Sequence, residues 1–238
     1  MDPRQIFADD RMLGVCVYCG GPPDTCDHIP SRVLLDEPFP DNLPVAECCE
    51  TCNTGFSLDE QYLACFIDCV IAGSTLPSDV ARPKVKRILA ETPALTSRIA
   101  VSEIKGLFDQ QIWEPEIDRI HNVFLKLARG HVAYELSLLR IDEPLRIACT
   151  PIIAMDDHDV EHFLNPQETP FWPEIGSRAF IRACKQFPDL AADHWKVVRP
   201  GRYQYLVSQA DGLFVRILLS DYLACEVRWD SGKKIGVF

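Results

Sequence analysis

Four cysteines in two pairs, Cys16 and Cys19, then Cys49 and Cys52, carry the strongest chemical signal in this chain. A Cys-x-x-Cys turn brings two thiolates to one ion, and two such turns can complete a tetrahedral, structural zinc site. The 29 residues at positions 20 to 48 separate the pairs, more than a minimal zinc ribbon needs, so something is built in the insertion. Asp27 offers a hard anionic oxygen suited to magnesium or manganese, and the amide oxygen of Asn53, directly after the last cysteine, can be a second ligand of that kind. His28 titrates near neutral pH and can take a proton from water. Asn42 lies in a proline-rich stretch, where an asparagine is ordinarily a turn residue.

These residues need a frame. Cys16–Gly21 has the form of a tight knuckle in which Gly20 and Gly21 can adopt positive φ. Six prolines between positions 22 and 44 exclude helix interior, so a β-hairpin with a long tip fits the stretch. Asp27 and His28 are consecutive. On a strand they face opposite sides unless the backbone bends, which Pro30 permits. After the second cysteine pair, Ser57-x-x-Glu60 reads as a capping box, and Leu58, Tyr62, Cys65, Phe66, Cys69 and Val70 recur at helical spacing up to Gly73. Glu60 is either that capping carboxylate or a reach toward the metal site.

Further along, RPKVKR from Arg82 to Arg87 is either the solvated start of a helix or a phosphate contact. Residues 115–139 predict a long amphipathic helix with Ile117, Ile120, Val123, Phe124, Leu127, Val132, Leu136 and Leu139 on one side, ended or kinked at Gly130. Ile147–Met155 reads as a buried strand. His158 and His162, at i, i+4 among carboxylates, resemble half a metal site or else a solvated helix start. From Trp195 the period changes to two. Segments 195–199, 202–208, 213–219 and 222–229, joined by turns at Pro200-Gly201, Asp211-Gly212 and Ser220-Asp221, predict an antiparallel meander. The expected class is α+β, cut near residue 75: a module at 1–75, then an α+β region at 76–238 that recognises substrate, dimerises or binds a regulator.

Composition bounds the function. The 238 residues are 47% hydrophobic and 25% charged, enough for a real core. No apolar run is long enough to cross a bilayer and the start lacks signal-peptide character, so a cytoplasmic protein without membrane partners is expected. Of the eleven cysteines, Cys65, Cys69, Cys149, Cys184 and Cys225 have apolar neighbours and read as buried thiols, while Cys26 and Cys48 lack a partner two residues away. Net charge is −11, of which residues 1–75 supply −10 from three basic and thirteen acidic side chains. Non-specific nucleic-acid affinity comes mainly from Lys and Arg, so this balance counts against such partners unless a metal ion or another surface supplies positive charge.

The order CVYCG, DHIP, DNLP, CETCN over residues 14–72 resembles the HNH (ββα-metal) nucleases in their His-Asn-Asn form, including phage junction resolvases of the endonuclease VII type. That resemblance implies a DNA endonuclease of bacterial defence or a mobile element, with RNA as another substrate. By it His28 is the general base, Asp27 and Asn53 hold one magnesium or manganese ion, Asn42 orients the histidine, and zinc on the four cysteines is structural. The ion would stabilise the leaving 3′ oxygen and give 5′-phosphate ends. The chain departs from the pattern in its acidity and in TGFSLDEQ after the last motif, where related nucleases carry Lys or Arg. A reading of another class remains: a catalytically silent, zinc-stabilised module that binds a protein or nucleic acid.

Overall fold

A computed structural model describes residues 12–41, 43–106, 111–165, 176–180, 195–209 and 212–229. Asn42, Cys184 and Asp211 lie outside them. The fold is α+β, with six helices, two two-stranded sheets and one five-stranded sheet among the described residues. The chain divides into two compact units, 1–55 with 124–238, and 56–123. The expected 1–75 module is thus cut at Gly55, because the helix that follows clusters with the helices after it. No described helix is long and apolar enough to cross a membrane.

In the first unit, β1 (Thr25–His28) pairs antiparallel with β2 (Val45–Cys48), from Thr25 opposite Cys48 to His28 opposite Val45. This is the expected hairpin. Its tip contains a 3₁₀ turn at Arg32–Leu34. Gly20 in the preceding knuckle sits at φ +75°, where a side chain would strain the backbone. The short helix α1 (Glu50–Gly55) carries the second cysteine pair, and Asp24 accepts a hydrogen bond from its first amide, Glu50 N, at 2.6 Å.

The helices α2 (Ser57–Ala72), α3 (Pro83–Glu91) and α4 (Pro93–Val101), and the small ladder of β3 (Glu103–Lys105) and β4 (Gln111–Trp113), belong to the second unit. The helix start differs from the expected one, with Ser57 already inside α2. Phe56 is the N-cap of α2 and makes no side-chain cap, while Glu60 is buried inside the first turn. Leu58 is 69% exposed and Asp68 is buried, against the expected face. Asp68 is there for Arg82, whose Nη1 lies 3.1 Å from Oδ2 with both side chains buried. Arg82 is thus withdrawn from solvent, while Lys84 and Lys86, half-exposed, and Arg87, exposed, follow it on α3 as a solvated helix start would. Gly73 ends α2 in the left-handed region, at φ +63°.

The next helix, α5 (Ile117–Leu136), contributes its residues from Phe124 onward to the first unit. It runs through Gly130 without ending there. The glycine serves close approach instead: a Cβ at this position would lie 2.6 Å from Cδ1 of the fully buried Ile29. The sheet has the order β5-β9-β8-β7-β6, all antiparallel, from β5 (Arg146–Pro151), β6 (Lys196–Arg199), β7 (Tyr203–Ser208), β8 (Phe214–Leu219) and β9 (Leu223–Arg228). The meander is as expected. Ser220 and Asp221, at φ +59° and +48°, make its last turn. The strand expected to be buried from Ile147 is an edge strand, half-exposed, and stops at Pro151.

Alternation along the sheet gives it two covered faces. Tyr203, Tyr205, Ile217 and Leu219 share one face, where His131 of α5 stacks on Tyr205 at 3.6 Å between ring centroids. Leu218 and Ala224 share the other, packed against Phe163 of α6 (Asp157–Leu164). The central strand β8 is consequently buried along its whole length. That is why FVRILL reads as a nearly continuous apolar run.

Candidate metal centre and hairpin site

The knuckle closes through backbone bonds. Cys16 N donates to Gly21 O at 2.7 Å and Gly20 N to Cys16 O at 2.8 Å. On the other side Cys52 N points at Cys49 Sγ, 3.4 Å away. The four sulfurs of Cys16, Cys19, Cys49 and Cys52 all lie within 4.8 Å of one another, with Cys19 and Cys49 3.8 Å apart. Cys26 and Cys48 stand outside this cluster. The cluster could hold a structural metal such as zinc, which takes four thiolates tetrahedrally.

The acidities of these thiols fit such a role. Burial pushes Cys16 up, but backbone donors at Cys49, Tyr18 and Cys19 outweigh it and bring the thiol down to about 7. Cys52 is pushed up, by burial first and then by its sulfur neighbours. One thiolate therefore forms readily, and ionisation of Cys52 is opposed by its burial and by the neighbouring sulfurs. A dication at the centre relieves that opposition.

At the far end of β1 the two consecutive side chains have different surroundings. Asp27 is buried. Its Oδ2 accepts a hydrogen bond from Tyr18 Oη at 2.8 Å and lies 2.5 Å from Lys126 Nζ. Lys126, on α5 and 1% exposed, also donates to Ser31 Oγ at 2.8 Å and lies over the Tyr18 ring. His28 is half-buried, with Nε2 3.0 Å from Arg32 Nη2. A guanidinium can only donate, so Nε2 accepts and the proton sits on Nδ1. Burial lowers the His28 pKa, Arg32 and Lys126 add to the lowering, and Asp27 opposes it. These surroundings favour the neutral ring. Arg32 also lies over the Phe39 ring, 5.4 Å from its centroid.

Asn53 is half-buried, its amide nitrogen directed at Cys26 O at 3.5 Å, which places it beside the backbone that leads into Asp27. The structure thus brings Asn53 to the Asp27–His28 strand. It commits the Asp27 carboxylate to an ammonium and directs the Asn53 amide through its nitrogen. The carboxylate fits a divalent cation poorly, because it already has its counter-charge in the Lys126 ammonium.

Two other candidates resolve differently. Asp156 Oδ1 accepts from Asp159 N at 2.7 Å and so caps α6. Asp156, His158 and Asp159 come within 4.8 Å of one another, but all are solvent-exposed, as a solvated helix start would be. Cys65, Cys69 and Cys225 are buried thiols as expected, and Cys149, half-buried, faces Cys225 across β5 and β9. Lys126, Arg32 and Tyr18 are the site residues that motif reading passed over. The available signal was a lone lysine among the apolar positions of a helix, between Phe124 and Leu127. No family model, curated protein or solved structure matches this chain.

Proposed function

We propose that the β1–β2 hairpin is a phosphodiester-hydrolysing site of the HNH type, with His28 as general base and DNA as the first substrate to test. The observation that carries this reading is an imidazole whose Nε2 faces a guanidinium, on a hairpin framed by a four-sulfur cluster. A phosphate arriving at Arg32 would draw the guanidinium into charge-assisted hydrogen bonds and free Nε2 for a water proton. Arg32 would then supply positive charge in a segment that otherwise lacks it. The frame would be zinc on Cys16, Cys19, Cys49 and Cys52. Asn53 would steady the strand through the Cys26 carbonyl.

The experiment is a cleavage assay on duplex, single-stranded and branched DNA and on RNA, comparing wild type with His28→Ala at equal zinc content. Wild type should cut, and the variant should lose about 10²-fold or more of the rate. Equal cutting by both would remove His28 from the chemistry.

A second reading draws on a specific observation, the commitment of Asp27 to Lys126. A catalytically silent, zinc-stabilised module that binds a regulator or a second copy of the chain needs its acidic residue only for structure. Inactivity of the wild type on every substrate above would favour it.

A further inference from the structure

We propose that the ammonium of Lys126 is the resident cation of the hairpin site, standing beside Asp27 where an HNH site would set a divalent ion, so that chemistry at His28 proceeds without one. This rests on the hairpin reading of the preceding section. It concerns which charge sits next to the carboxylate.

The ammonium is held from several sides. It is 2.5 Å from Asp27 Oδ2, donates to Ser31 Oγ at 2.8 Å and sits over the Tyr18 ring, whose hydroxyl donates to the same Oδ2. Its side chain is 1% exposed. A buried ammonium is tolerated only when it is paired and hydrogen-bonded, and this one is both. A dication binding the same carboxylate would lie within a few ångströms of Nζ in a poorly solvated site, where like charges repel strongly. Lys126 cannot easily withdraw, because α5 is fixed nearby by the packing of Ile29 against Gly130. The site therefore carries one positive charge in the frame itself. Its consequence is that the Asp27 carboxylate already has a cation beside it, and Arg32 adds a second positive charge next to His28.

Manganese binding tests this independently of turnover. The full chain, with zinc on its cysteines, is titrated with Mn²⁺ and followed by electron paramagnetic resonance. Wild type should bind no more tightly than Asp27→Asn. Lys126→Met should gain affinity by about tenfold or more, and the gain should vanish in Lys126→Met/Asp27→Asn. In the cleavage assay, chelation that leaves zinc in place should leave the wild-type rate intact. Asp27-dependent Mn²⁺ binding by wild type would overturn the proposal, as would loss of cutting on chelation with rescue by magnesium. If either single variant fails to fold, wild type against Lys126→Met/Asp27→Asn, which removes both buried charges, still decides. If wild type cuts nothing, the hydrolytic reading fails, while the titration still rules on Lys126.

Discussion

At one end of the β1–β2 hairpin four sulfurs converge, from positions no further apart than 16 and 52. At the other, one carboxylate meets an ammonium brought by a helix whose contact at Ser31 is 95 positions away in sequence. The first cluster consists of acids alone and can ionise fully only by recruiting a cation from solution. The second carries its cation in the chain. Both ends gather ionisable groups beside the same strand, so the difference lies in where the balancing charge comes from. A metal on the sulfurs would be removable by a chelator, whereas the ammonium is removable only by mutation.

The largest effect is expected at the sulfur end. Structural zinc in small modules contributes on the order of 10 kcal/mol to folding. Removing the metal with a strong chelator, or replacing Cys49 with Ser, should abolish zinc binding and open the knuckle and hairpin. Hydrogen exchange would show this as lost protection at Val17 N and Ile29 N, which donate to Glu47 O and Pro44 O. Unchanged protection after chelation would mean that the four thiols hold no metal and that the contrast between the ends is false.

The next effect belongs to the charged end. Lys126→Ala strands a buried carboxylate and should cost about 3–5 kcal/mol in urea denaturation. Pairing Lys126→Ala with Asp27→Asn removes both charges and should recover much of that loss. A cycle of the two single and one double variants gives the coupling. A cost below about 1 kcal/mol for Lys126→Ala would place this pair with ordinary surface ion pairs.

The same contrast explains what the sequence could tell. Cys-x-x-Cys is a local pattern, and so is the period-two alternation of residues 195–229, which placed β6 to β9 closely. Helix α5 was legible from its 3.6 period. What its polar residues do was not. Lys126, His131 and Glu135 are all buried, and a periodic reading records them only as interruptions of an apolar face. Their partners, Asp27, Tyr203 and Tyr205, lie on other elements. The Ser57–Glu60 cap misled for a related reason. A capping box describes a helix leaving a loop, whereas here another helix, α1, ends one residue before Phe56. Gly130 likewise looked like a break because its reason, Ile29, comes from the hairpin tip.

The smallest expected effect tests whether α5 buries its other ionisable groups as it buries Lys126. His131 is fully buried, stacked on Tyr205, with Nε2 2.8 Å from Tyr203 Oη. Glu135, one turn on, accepts from Tyr205 Oη at 2.6 Å, and Lys196 lies over the Tyr205 ring. Unlike Lys126, His131 is not paired with an acid, and burial first, then Lys196, holds its pKa well below 6.5. The sign follows directly. Above pH 6.5 the ring is neutral in both folded and unfolded chains. Below it the unfolded chain takes up a proton that the folded chain refuses, so stability falls as pH falls, by up to about 1.4 kcal/mol per pH unit. Urea denaturation of wild type and His131→Gln between pH 7 and 5 isolates this contribution as the difference between their slopes. A wild-type slope no steeper than that of the variant would mean that the folded protein admits the proton, and that α5 supplies a counter-charge at His131 as it does for Asp27.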